Sequence, residues 1–178
     1  MDVVDSLLTV AEISVALAGF AGVIATFQLG QLEHLSRGRV VAVWMIVNIS
    51  LFMAFFSVLP FFLVQLGLEE KTIWAISSAL MVVYLFAYSP IFFRNVNMSP
   101  ETLPIRILFL SFPIFGLALL VANLLNALGI IFDQELGPFL AAVIFSLCIV
   151  SYNFSRLLMR PLWKLVEKRE VMSSAEGQ

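Results

Sequence analysis

Five apolar runs, near residues 7–29, 40–66, 72–93, 105–132 and 137–159, fill almost the whole chain. Each is long enough to cross a bilayer, which takes about 20 mostly apolar residues at 1.5 Å rise per helical residue. The connections between them are short, and no stretch for a soluble domain remains. Composition agrees: of 178 residues, 61% are hydrophobic and 12% charged, with mean hydropathy +1.02. A soluble domain carries about 25% charged residues. The expected fold is all-α: one polytopic transmembrane helical bundle of five spanning helices.

The first run is expected to be retained rather than cleaved. Its leading residues, Met1-Asp-Val-Val-Asp5, are acidic where a signal peptide is basic. Orientation follows from the ten Lys and Arg residues. Arg37 and Arg39 lie in the first connection, Lys71 in the second, and Arg94 and Arg106 flank the third. Arg156, Arg160, Lys164, Lys168 and Arg169 close the fifth run or follow it. With the N-terminus outside, every one of these except Lys71 falls on the cytoplasmic side, which is the positive-inside pattern. The C-terminus is then cytoplasmic. After Pro161, residues 162–172 read as a short interfacial helix whose basic residues meet anionic lipid.

Helix 1 carries Ser14, Ala18, Gly22 and Ala25 at spacings of four, four and three. Small residues so spaced let two helix backbones approach closely, within one chain or between copies. Pro60, Pro90 and Pro113 each remove a backbone donor inside a run. Two runs end alike, in Val64-Gln-Leu-Gly67 and Asn126-Ala-Leu-Gly129, and each leads into an acidic turn.

Polar residues inside the runs are few. Glu12 is the one carboxylate within a span, and an ionisable group there is a candidate for ion binding or a pore mouth. It also fits a capping box, with Thr9 as N-cap and Leu8 and Ile13 as a staple. Asn123 and Asn126 share a face of helix 4 in the outer half, at the expected depth of Glu12. An Asn126 amide donating to the Glu12 carboxylate is therefore expected. Asn48 and Asn153 form an inner polar layer.

Catalytic signals are missing from the pattern. There is no HExxH, GxSxG, P-loop or carboxylate pair, and Cys148 and His34 are each the single residue of their type. No enzyme activity, cofactor or metal is expected. A basic, aromatic-interleaved surface for nucleic acid is also missing. The expected partners are the bilayer itself, anionic lipid at the cytoplasmic face, and a second copy or another membrane protein.

The segment A-E-I-S-V-A-L-A-G-F-A-G, residues 11–22, resembles the first helix of small, uncharacterised bacterial integral membrane proteins. The resemblance covers about 25 residues and implies a bacterial inner (plasma) membrane but no activity. Three classes of function stay open: a non-catalytic scaffold or accessory subunit, a homo-oligomeric channel with Glu12 near its outer mouth, and a small transporter or lipid-handling protein.

Overall fold

A computed structural model describes the backbone at residues 3–29, 37–96 and 103–176, and side chains at 3–26, 40–90 and 111–159. The described residues form five helices and no strand: α1 (Val3–Leu29), α2 (Arg37–Gln65), α3 (Glu70–Val96), α4 (Leu103–Ala127) and α5 (Leu136–Glu176). Four of them, α1, α2, α3 and α5, are long and apolar enough to cross a membrane. The apolar part of α4 with described side chains, Ser111–Ala127, falls short of that length. Four such helices with an apolar exterior are the signature of a membrane protein.

The helices are not stacked in a ring around α1. Helix α2 packs on α1, α3 and α5, while α5 touches all four others. The α1 helix is a flank held by α2 and α5, and α4 is the opposite flank, held by α3 and α5. The core is apolar: Ile46, Met53 and Phe56 of α2, Met81 of α3, and Phe139 and Val143 of α5 are all buried. An aromatic chain ties these elements together. Trp44 stacks on Tyr88, Tyr88 meets Tyr84, Tyr84 meets Phe56, Phe56 meets Phe139, and Phe139 meets Trp74. Consecutive ring centroids lie 5.0–6.3 Å apart, inside the range where aromatic pairs gain beyond area burial.

Several sequence expectations change. The fourth run was expected to stay helical to residue 132, but α4 ends at Ala127. Gly129, with φ of +66°, closes it. Its N–H donates to Asn126 O and the Ile130 N–H to Leu125 O, which is a Schellman cap. Gly67, with φ of +74°, ends α2 in the same way by donating to Val64 O. The repeated Leu-Gly is thus a shared helix stop. The separate interfacial helix at 162–172 is also corrected: those residues are the continuation of α5, which runs unbroken to Glu176.

The capping box fails because α1 begins at Val3, a turn and a half before Thr9. Thr9 is therefore interior, and its hydroxyl donates back to Asp5 O at 2.8 Å. Pro90 shows how α3 tolerates a lost donor. The carbonyl it strands is that of Phe86, and Ser89 Oγ donates to it at 3.0 Å.

The small-residue stripe of α1 is rotated from its expected position. Ser14 is fully buried, Ala18 and Ala25 are half-buried, and Gly22 is exposed. The packed face runs Leu7, Val10, Ser14, Leu17, Ala21, Ile24, at alternating spacings of three and four. A Cβ built on Gly22 would meet nothing within 4 Å. Two substitutions separate the faces. Ala21→Leu overpacks a fully buried position and should lower stability by about 1–3 kcal/mol. Gly22→Ala should be neutral or slightly stabilising, since Ala is the better helix former by up to ~1 kcal/mol. Unfolding in detergent, followed by circular dichroism, reads both; a large loss for Gly22→Ala would restore the original stripe.

Candidate functional site

The densest polar site in the described residues lies where α3, α4 and the start of α5 meet. It is built on Asn126, in the last turn of α4, which is fully buried. Its Nδ2 donates to Ser78 Oγ of α3 and to the carbonyl of Glu135, both at 2.8 Å. Its Oδ1 accepts from the Glu135 N–H at 3.0 Å. One side-chain amide therefore pairs with a whole backbone peptide position and with a second helix.

Asn123 lies one turn earlier on the same face and is also fully buried. Its Nδ2 donates to Leu119 O on α4 and to Pro138 O on α5, each at 2.9 Å. The spacing of three puts both amides over the N-terminus of α5. The turn between the helices is closed by further bonds. The Glu135 N–H donates to Phe132 O at 3.0 Å, bracketing Asp133 and Gln134. Those two residues have φ of +46° and +60°, a conformation that costs a non-glycine residue about 1 kcal/mol or more. Gln134 Nε2 reaches Ala127 O at 3.5 Å, a long contact toward the last helical carbonyl.

This pairing corrects the expected Asn126–Glu12 contact. Glu12 is exposed on α1, the flank opposite α4. Both ends of the Asn126 amide are already taken by Ser78 and Glu135. The inner pair is not joined either. Asn153 donates to Ile149 O on its own helix at 2.9 Å, and Asn48 is half-buried on α2. Arg156 is half-buried at the midpoint of α5. The side chains of Arg160, Lys164, Lys168 and Arg169 lie outside the described residues. Cys148 is exposed on α5.

Sequence reasoning missed the serines. Ser50 and Ser57 of α2, Ser77 and Ser78 of α3, and Ser146 of α5 are all buried. Ser57 and Ser146 donate to the carbonyls four residues back. The heptad spacing of Ser50 and Ser57 was the available signal, but a serine that bonds its own helix perturbs an apolar pattern little. Four buried polar atoms have no hydrogen-bond partner among the described residues: Ser50 Oγ, Ser77 Oγ, Tyr88 OH and Asn123 Oδ1. They are spread over α2, α3 and α4 and pair with no carboxylate. No group of three His, Cys, Asp or Glu residues suited to a metal ion occurs among the described residues.

Comparison of the chain with protein families, with curated proteins and with solved structures finds no match. The resemblance of residues 11–22 therefore has no family match behind it, and bacterial origin stays an expectation.

The site generates a graded prediction. Asn126→Leu removes three hydrogen bonds and leaves the Glu135 carbonyl to find another partner, while the Glu135 N–H keeps Phe132 O. Interhelical bonds in membranes average ~0.6 kcal/mol, and stranded buried groups cost about 1–3 kcal/mol. The expected loss is about 2–3 kcal/mol, against less than about 0.5 kcal/mol for Asn153→Leu. Unfolding by a graded denaturing-detergent titration gives the comparison. Equal losses at the two positions would contradict the special role of Asn126.

Proposed function

We propose that this chain is a non-catalytic integral membrane protein that acts as a scaffold or accessory subunit. The observation that carries the reading is the use made of the interior amides. Asn123 and Asn126 are buried and spend their donors on Leu119, Pro138, Ser78 and Glu135, so they lock helices together. A conducting or substrate-binding interior needs polar groups turned toward an open path. Glu12 points away from the bundle interior, so a pore lined by it would have to form between copies. The transporter and lipid-handling alternative has no comparable observation in its favour.

In this reading the bundle has five spans, since α4 extends over 25 residues in all. The N-terminus and the α2–α3 and α4–α5 turns are outside, and the C-terminus is cytoplasmic, as the Lys and Arg distribution asks. The membrane is the inner (plasma) membrane of a bacterium. The exposed apolar faces of the flanking helices α1 and α4 meet lipid, a second copy or a membrane protein partner. Basic residues from Arg156 to Arg169 meet anionic headgroups.

Two measurements test the proposal. Asp5→Cys and Ser174→Cys should label from opposite sides of sealed vesicles; labelling from one side would remove the five-span arrangement. The purified protein in liposomes should pass cations no faster than protein-free liposomes under any gradient. A flux that is present in the parent and altered in Glu12→Gln would replace the scaffold with the channel.

A further inference from the structure

We infer that the apolar half of the α4–α5 turn, Ile130, Ile131 and Phe132, meets lipid acyl chains at the hydrocarbon boundary, recessed below the α2–α3 turn, and that the Asn126 clamp exists to let backbone turn there. The inference rests on the membrane reading above.

Depth is the first argument. Glu70 opens α3 beside Glu69 and Lys71, and all three are exposed, as residues in headgroup water should be. Ser78 is eight residues further along, about 12 Å down the helix axis at 1.5 Å per residue. Asn126 bonds Ser78 directly at 2.8 Å and bonds the Glu135 backbone at the same point. Helical side chains lean toward their own N-termini, so part of that 12 Å is taken up by the two side chains reaching toward each other. The start of α5 nevertheless sits about a turn or more below the polar tip of α2–α3.

The surface is the second argument. Leu124 and Leu128 are exposed on the outward face of α4, and the exposed apolar side chains continue beyond the helix as Ile130, Ile131 and Phe132. Ile130 is 63% and Ile131 60% exposed. A turn standing in water is built from polar residues, whereas this one is continuous with the outward apolar surface of its helix.

Backbone accounting is the third. Hydrocarbon offers no partner to a free N–H or C=O, so non-helical backbone at that depth must be satisfied by protein. The N–H groups of Leu128, Gly129, Ile130 and Glu135 have protein acceptors, whereas those of Ile131, Phe132, Asp133 and Gln134 have none among the described residues and depend on headgroup water. The Glu135 carbonyl is held by Asn126. The left-handed Asp133 and Gln134 reverse the chain within one tight turn and shorten the backbone to be satisfied. The exposed carboxylates Asp133 and Glu135 set the limit of immersion. They reach headgroup water, which holds the turn at the hydrocarbon boundary and away from the midplane.

Spin labelling tests this in Cys148→Ser protein reconstituted into phosphatidylcholine vesicles. Nitroxides are placed at Ile131→Cys, at Val121→Cys on the outward face of α4, and at Lys71→Cys on the α2–α3 turn. Collisions with oxygen and with a water-soluble nickel chelate are then compared. Ile131 should follow Val121, open to oxygen and at least tenfold less accessible to nickel than Lys71. Nickel access equal to Lys71 would put the turn in water and overturn the inference while leaving the membrane reading intact. Protection from both reagents would mean that protein covers the turn, which also overturns it. Nickel access at Val121 itself would overturn the membrane reading with it. Ile130→Cys gives the same readout should Ile131→Cys not reconstitute.

Discussion

A peptide that leaves a helix in an apolar medium must find a partner for its N–H and its C=O, and Asn126 is that partner for Glu135. A side-chain amide offers both a donor and an acceptor in one plane, as a backbone peptide does. It therefore substitutes for the missing strand or helix neighbour of a single backbone residue. By adding Ser78 to the same amide, α4 is fixed to α3 and to the start of α5 at one point. Asn123 repeats the device one turn away, on Pro138, whose ring leaves its own nitrogen without a hydrogen to donate. The α4 flank packs on α3 and α5 but makes no comparable packing on α2 or α1. Directional bonds add there to what packing supplies.

The opposite flank is held by shape. Helix α1 presents an alternating three-four row of Leu, Val, Ser and Ala to α2, and the one polar member, Ser14, bonds back to Val10 O at 2.7 Å. Ser14 makes no interhelical hydrogen bond among the described residues, so its contribution is its small volume. Between the flanks, the aromatic chain from Trp44 to Trp74 runs through α2, α3 and α5. Stiff rings lose little conformational entropy on packing and resist compression, so they set the helix spacing in the centre.

Much of the fold was legible in the sequence, and the reasons are physical. Apolar runs longer than a bilayer leave helices as the only economical structure, and the ends marked by Leu66-Gly67 and Leu128-Gly129 were visible as a repeated motif. What was not legible is rotation. Ser14, Ala18 and Gly22 share a stripe at spacing four, but so do Leu7, Val10, Ser14, Leu17 and Ala21 at mean spacing 3.5, and only the partner surface chooses between them. In a membrane helix both faces are apolar, so hydrophobicity cannot point to the core as it does in a soluble protein. The run from Ile105 to Phe132 misled for the same cause: residues 128–132 are as apolar as the helix before them, and hydropathy cannot tell a turn in lipid from a span. Glu12 was misplaced because a capping box is a local pattern, while the start of α1 at Val3 is decided by the apolar residues ahead of it.

The kinds of polar group inside and outside the bundle bear on what the protein does. Among the described residues every fully buried polar residue is Ser or Asn, and the acids with described side chains, Asp5, Glu12, Glu69, Glu70, Asp133 and Glu135, are all exposed. Neutral groups cost a few kcal/mol to bury and recover most of that through one or two hydrogen bonds, whereas an unpaired charge costs far more. Among the described residues these fully buried groups carry no charge, and most are bonded to protein, Ser50 Oγ and Ser77 Oγ excepted; the charge of half-buried Arg156 lies outside this set. Transport through such an interior would require breaking the same bonds that hold α4 in place, so the energy that makes the site rigid also argues against a moving part there. A bundle whose described carboxylates and many of whose apolar side chains lie on its surface is suited to holding something beside it, and that is the physical ground for reading it as a scaffold.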